Sequence, residues 1–103
     1  MDKVFDIEPK HLAIVQDILR TYLPDYEVRA FGSRVKGTAR KFSDLDLVVM
    51  SEQPLSLQRF ADVSEAFSES DLPYKVDLLD WATTSEGFRE IIAQKYVIIS
   101  DSE

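Results

Sequence analysis

The clearest pattern in the chain runs from 44 to 50, where Leu45, Leu47 and Val49 alternate with Asp44, Asp46 and Val48. Period two is the spacing of a strand, whose successive side chains face opposite sides. One face of this strand is therefore apolar, and the other carries two acids. Two further strands are predicted over 26–31, with Tyr26, Val28 and Ala30 on one face, and over 74–79. Helical spacing takes over after Pro9, which suits a first turn. Leu12, Val15, Leu19 and Tyr22, joined by Ile18 and Leu23, recur at three- and four-residue intervals, and Pro24 stops that helix. Pro54 is expected to open a second long helix with Leu57, Phe60, Ala61 and Phe67 on its inner face, ended by the turn residues 68–71. Thr83 with Glu86 fits a capping box for a last helix whose partly apolar face is Phe88, Ile91, Ile92 and Lys95. Between the first two strands, 33–36 fits a turn or two of helix closed by Gly37. The apolar segment 96–99 fits a short strand or a docking segment.

The predicted order is α-β-α-β-α-β-α. This alternation implies an α/β (α+β) fold with one small sheet and helices packed on it. The connection between the second and third strands is long enough for a parallel crossover, whereas the first connection is short. A mixed sheet follows, with Asp77 expected on an interior strand. A length of 103 residues fits one domain spanning 1–103.

Charge narrows the function. The net charge is −7, and a protein that grips a nucleic-acid backbone usually carries a basic face, so direct nucleic-acid binding is not expected. Arg34, Lys36, Arg40 and Lys41 nevertheless fall within eight residues, which suits a small anionic ligand. The chain has no cysteine, which excludes disulfides and thiolate metal sites. The charged start of the chain lacks the apolar core of a signal peptide, and no apolar run approaches a membrane span. A cytoplasmic, membrane-free protein is the expectation. His11, the sole histidine, is expected at the surface.

Three features carry candidate chemistry. Gly32-Ser33 ends a predicted strand. Glycine lets a phosphate approach the backbone, amides opening a helix point at an anion, and Ser33, Arg34 and Lys36 could add a hydroxyl and charge. Asp44 and Asp46 lie on one strand face, where like charges raise each other's pKa unless a cation intervenes. Hard divalent ions take such ligands, and Mg²⁺ typically uses one or two carboxylates plus substrate phosphates. Asp77, between Val76 and Leu78, is a third carboxylate in a strand. Each feature also has an ordinary reading: a plain turn, a solvated strand face, and an edge strand or an ion pair with Lys75 or Arg89. Asp80 is an alternative to Asp77, but its place at the strand end suits the start of a turn. An antiparallel first pair and a parallel second pair would gather all three features. Two Mg²⁺ ions about 4 Å apart could then clamp an in-line displacement.

The run from Gly32-Ser33 to Asp44-Leu45-Asp46, with ten residues between Ser33 and Asp44, followed by Asp77 in a strand, resembles the DNA polymerase β-like nucleotidyltransferase superfamily. Its spacing is similar to that of the minimal nucleotidyltransferase (MNT) group, and the likeness extends over nearly the whole chain, including 76–81. The resemblance implies that Gly32 and Ser33 contact the triphosphate of ATP, with Arg34 and Lys36 less firmly tied to it. It implies that Asp44 and Asp46 ligate both metal ions, and that Asp77 ligates the catalytic metal and helps deprotonate the acceptor. It further implies a HEPN-domain partner, a toxin silenced by AMP transfer onto one of its tyrosines, with this chain as antitoxin. Candidate partner contacts are 96–99 and the face near Phe60 and Trp81. Transfer to a small molecule such as an aminoglycoside, and a non-catalytic toxin-binding module, are the alternatives.

Overall fold

The computed structural model describes residues 5–101; residues 1–4, part of the stretch inspected for a signal peptide, and 102–103 lie outside them. The element order is α1 (Pro9–Tyr22), β1 (Val28–Phe31), α2 (Ser33–Lys36), β2 (Leu45–Val49), α3 (Leu57–Ser68), β3 (Val76–Asp80), a 3-10 turn (Trp81–Thr83), α4 (Glu86–Gln94) and β4 (Val97–Ser100). The expected alternation is present, with one addition: most of the 96–99 segment lies in the strand β4, shifted by one residue to Val97–Ser100.

The sheet order is β3-β2-β1-β4. β1 pairs antiparallel with β2 and with β4, and β2 pairs parallel with β3, so the sheet is mixed. β2 is central because both of its faces can be covered. Leu45, Leu47 and Val49 are fully buried in the main core with Val15, Leu19, Val28, Ala30 and Val63, beneath α1 and α3. On the opposite face Val48 meets Phe31 and Ile92, with Met50, Leu79 and Trp81 half-buried around them. α1 carries Val15 and Leu19 inward, starts with a proline in its first turn and ends before Pro24.

Several local expectations need correction. β3 is an edge strand, because β4 takes the place beside β1 and no described strand lies beyond β3. α3 begins at Leu57, three residues after Pro54, because the Ser56 hydroxyl accepts from the Arg59 amide and caps it. Its buried residues are Val63 and Phe67, while Leu57 is 91% exposed. α4 is capped by Ser85, which accepts from the Phe88 amide. Thr83 and Thr84 instead donate their hydroxyls to the Asp80 carbonyl. His11 is not at the surface: its ring packs edge-on against Tyr74 at 5.5 Å, with the side chain 13% exposed. Phe60 and Trp81, offered as partner contacts, are half-buried against the two cores.

Asp80 anchors the end of β3. Its buried carboxylate accepts from the Ser51 hydroxyl, from the Leu55 amide at 2.7 Å and from the Ala82 amide at 3.2 Å. The side chain thereby joins the β2 exit, the approach to α3 and the turn after β3, which is the turn-starting role foreseen for it. Asp80→Ala is expected to lower the unfolding free energy by about 2–4 kcal/mol, because buried donors lose their acceptor. Asp80→Asn, which keeps one carbonyl oxygen, is expected to cost less. Urea denaturation of both variants checks the order; equal losses would show that the acceptor pattern is not what matters.

Candidate active site

The candidate residues meet at one corner of the sheet, on the face opposite the main core. Asp46 lies on β2 directly across from Phe31, the last residue of β1, and beside Asp77 on β3. Cross-strand partners share a face, so Asp46 and Asp77 project from the same side at adjacent positions. Asp44 precedes β2 and is exposed. It is nonetheless fixed on its C-terminal side, where the Leu45 amide donates to the Lys75 carbonyl at 2.9 Å.

Gly32 joins this corner from β1. Its φ of 80° and ψ of −155° form a backbone that L-residues rarely adopt. A Cβ added there would collide with Asp46 Oδ2 and lie 3.1 Å from its Cγ. The backbone at 32 therefore runs against the Asp46 carboxylate itself. Ser33 opens the single turn of α2, which Gly37 closes in the left-handed conformation. The first amides of such a turn have no intrahelical acceptor, so the backbone at 33 and 34 belongs to a concave, donor-bearing bend.

The electrostatics agree with this clustering. Burial, followed by the charges of Asp77 and Asp44, pushes the Asp46 pKa up from 3.8 to about 6. Among the described residues none of these three acids has an ion-pair partner. The three acids expected to ligate metal approach one another at this corner without forming a closed ligand cluster. No group of three such ligands among the described residues stands close enough to hold an ion. Asp44 stands outside the strand, and Asp77 is exposed on the sheet edge.

The basic residues separate. Lys36 is exposed at the end of α2, and Arg40 and Lys41 are exposed on the following loop. Arg34 is only 5% exposed. Its guanidinium donates to the carbonyls of Asp6, Lys41 and Ser43 and lies 3.9 Å from the centroid of the Tyr74 ring. Arg34 therefore does not meet the nucleotide role expected of it: a guanidinium spent on three carbonyls and an aromatic face has no fork left for a phosphate. Sequence inspection also missed Tyr74, whose hydroxyl is buried with no hydrogen-bond partner among the described residues. Burial pushes its pKa up, opposed by the Arg34 charge. Its place at the start of a predicted strand gave no sign of a cation stacked on it.

A second aromatic pair flanks the acids. Phe88 of α4 packs edge-on against Phe31 at 5.8 Å and keeps 38% of its surface exposed.

The family model described as "Nucleotidyltransferase domain" matches residues 12–103. The chain is 61% identical over 98 residues to "Probable protein adenylyltransferase MntA" of Haemophilus influenzae, covering 95% of this chain and 86% of that protein. It is 32% identical over 73 residues to "Protein adenylyltransferase MntA" of Thermococcus cleftensis, covering 71% and 73%. Among solved structures, a toxin-antitoxin crystal structure with AMP-PNP matches with TM-score 0.74 at 22% identity, covering 89% of this chain and 74% of that one. The structure of tri-AMPylated Shewanella oneidensis HEPN toxin in complex with MNT antitoxin matches with TM-score 0.68 at 17% identity, covering 93% and 74%. At these identities the structural likeness speaks for the fold.

Two outcomes follow from the Asp46 environment. The folded chain binds the Asp46 proton more tightly than the unfolded chain, so this group's contribution to stability falls as pH rises from about 4 to 6. At pH 7 and without metal, Asp46→Asn is expected to raise the unfolding free energy by about 1 kcal/mol, after discounting for solvent screening. The gain should vanish near pH ~3, below the unfolded pKa, where both states are protonated. Urea titrations at the two pH values check this, and a variant no more stable at pH 7 would contradict the repulsion. Gly32→Ala should lose about 1–3 kcal/mol, and combining it with Asp46→Ala should recover part of that loss.

Proposed function

This chain belongs to the nucleotidyltransferase domain family, and on that premise we propose that it transfers AMP from Mg²⁺-ATP to a tyrosine hydroxyl of a HEPN-domain partner, acting as the antitoxin that silences it. The observation that carries the reading is the pairing of Asp46 with Asp77 on one sheet face, with the Gly32 backbone packed against the Asp46 carboxylate. The names of the relatives point the same way: MntA proteins are called adenylyltransferases, and a matching complex contains an AMPylated HEPN toxin.

The residues fit a divalent ion. Asp44, Asp46 and Asp77 offer carboxylate oxygens only, which suits magnesium, and magnesium completes its shell with phosphates and water. An open arrangement of acids that the triphosphate must finish is consistent with that habit. When bound, the ion would neutralise phosphate charge and acidify the attacking hydroxyl.

The chain's own residues supply the rest. The Gly32-Ser33 bend receives the β- and γ-phosphates, using backbone amides and the Ser33 hydroxyl, and exposed Lys36 adds charge at the rim. Asp44 and Asp46 would hold the divalent ion, which would supply the positive charge that the α-phosphate side of the nucleotide needs. The acceptor oxygen bonds to the α-phosphorus as the bond from that phosphorus to the bridging oxygen breaks, and pyrophosphate leaves. Asp77, exposed at the edge of the sheet, takes the hydroxyl proton, a role that suits a carboxylate reachable from outside. No described helix is long and apolar enough to cross a membrane, and use of ATP suits a cytoplasmic location.

Intact mass of the co-purified partner, after incubation with this chain, ATP and Mg²⁺, tests the reading. One or more AMP additions are expected. Asp44→Asn and Asp46→Asn should each lower the rate by at least about 100-fold while the fold persists, and Asp77→Asn should do so with little change in ATP affinity. An unmodified yet silenced partner would replace catalysis with simple binding, and turnover on an aminoglycoside would replace the protein acceptor.

A further inference from the structure

We propose that Arg34 is the positioning residue of this site: one buried guanidinium, without touching nucleotide, sets where Asp44 stands relative to Asp46 and Asp77. The proposal rests on the adenylyl-transfer reading for its catalytic consequence, and on contacts in this chain for the rest.

Asp44 needs such a device because it lies outside β2. Asp46 and Asp77 are fixed by ladder bonds on neighbouring strands. Asp44 ends an exposed loop that carries Arg40, Lys41 and the 63%-exposed Phe42. A loop of that kind has little burial of its own to hold it. Arg34 supplies the restraint. Its Nε and Nη2 both donate to the Ser43 carbonyl, at 3.1 and 2.8 Å, one residue before Asp44. The same Nη2 reaches the Lys41 carbonyl at 3.2 Å, and Nη1 reaches the Asp6 carbonyl at 3.0 Å. In the other direction the Asp6 amide donates to the Arg34 carbonyl at 2.7 Å.

The loop closes on itself at the same point. The Arg40 amide donates to the Ser43 hydroxyl at 2.7 Å, and the Ser43 amide donates to the Arg40 carbonyl at 3.1 Å. With Leu45 bonded to the Lys75 carbonyl, the peptide groups on both sides of Asp44 are held. The floor of the clamp is the Tyr74 ring, 3.9 Å from the guanidinium carbon. Tyr74 lies three residues before Asp77, so the segment that delivers the third acid is tied to the same cation. Arg34 also sits on α2, next to the Ser33 bend. One side chain thus connects all the pieces expected to meet the nucleotide.

Only a planar fork can do this. Lysine keeps the charge but cannot donate along two directions while stacking flat on a ring. The test uses the full chain with its partner and compares wild type, Arg34→Lys and Arg34→Met. Both variants are expected to stay folded by circular dichroism. Hydrogen exchange should rise at amides 39–45 while the α1 and β1 amides keep their protection. The KM for Mg²⁺-ATP should stay within about threefold, while kcat falls by roughly 10- to 100-fold, the size expected from an ångström-scale displacement. With Mn²⁺ as the probe metal, affinity read by electron paramagnetic resonance should weaken several-fold.

Unchanged kcat in folded Arg34→Lys would overturn the proposal. So would a loss confined to KM, which would return Arg34 to the phosphates, or exchange that rises uniformly, which would make it a stability residue only. If wild type transfers no AMP, the reaction reading falls. The exchange pattern and Mn²⁺ affinity then decide the Arg34 assignment on their own.

Discussion

Strand β2 is paired on both sides, and its alternation fixes what each face must carry. Leu45, Leu47 and Val49 fill the main core, so Asp46 is forced to the other face. The antiparallel pairing with β1 then sets it across from Phe31, one residue before Gly32, and the parallel pairing with β3 sets it beside Asp77. A register slip of one residue would bury the acids and expose the leucines. Hydrophobic burial along β2 therefore does the work of holding like charges together, since the charges themselves favour separation.

That arrangement has a thermodynamic signature. Asp46 is held where burial and its acidic neighbours favour its neutral form. Such opposition between local electrostatics and fold is common at sites built for a cation or a charged substrate. Gly32 belongs to the same compromise. Its backbone conformation excludes ordinary side chains, and the space a side chain would need is filled by the Asp46 carboxylate. The bend and the acid are thus fitted to one another.

The two faces of the sheet are covered unequally. α1 and α3 seal one, whereas the other has α4, anchored through Ile92 and leaving Phe88 and Ile91 substantially exposed. The acids, the glycine bend and the Phe31–Phe88 pair all belong to this less covered face. Access for a large acceptor and low coverage go together, and the stability of the corner is drawn from interactions behind it. Asp80 ties the far end of β3 to the α3 approach, and Arg34 ties the near end to the loop.

Much of this was legible from residue order alone. Period-two alternation over 44–50, helical spacing after Pro9 and the Gly-Ser to Asp-x-Asp interval determined the element types, the mixed sheet and the acids worth watching, because these depend on local backbone geometry. The edge position of β3 was not legible, since strand order depends on which strands pair over long separations, and 96–99 could be read two ways. Nor was the fate of Arg34. A basic residue beside a Gly-Ser bend has the same sequence signature whether its guanidinium faces an anion or turns inward. Only the packed structure, which brings Tyr74 and the Asp6, Lys41 and Ser43 carbonyls around it, decided that it turns inward. Those partners come from three separate stretches of chain, and nothing local to residue 34 records their arrival.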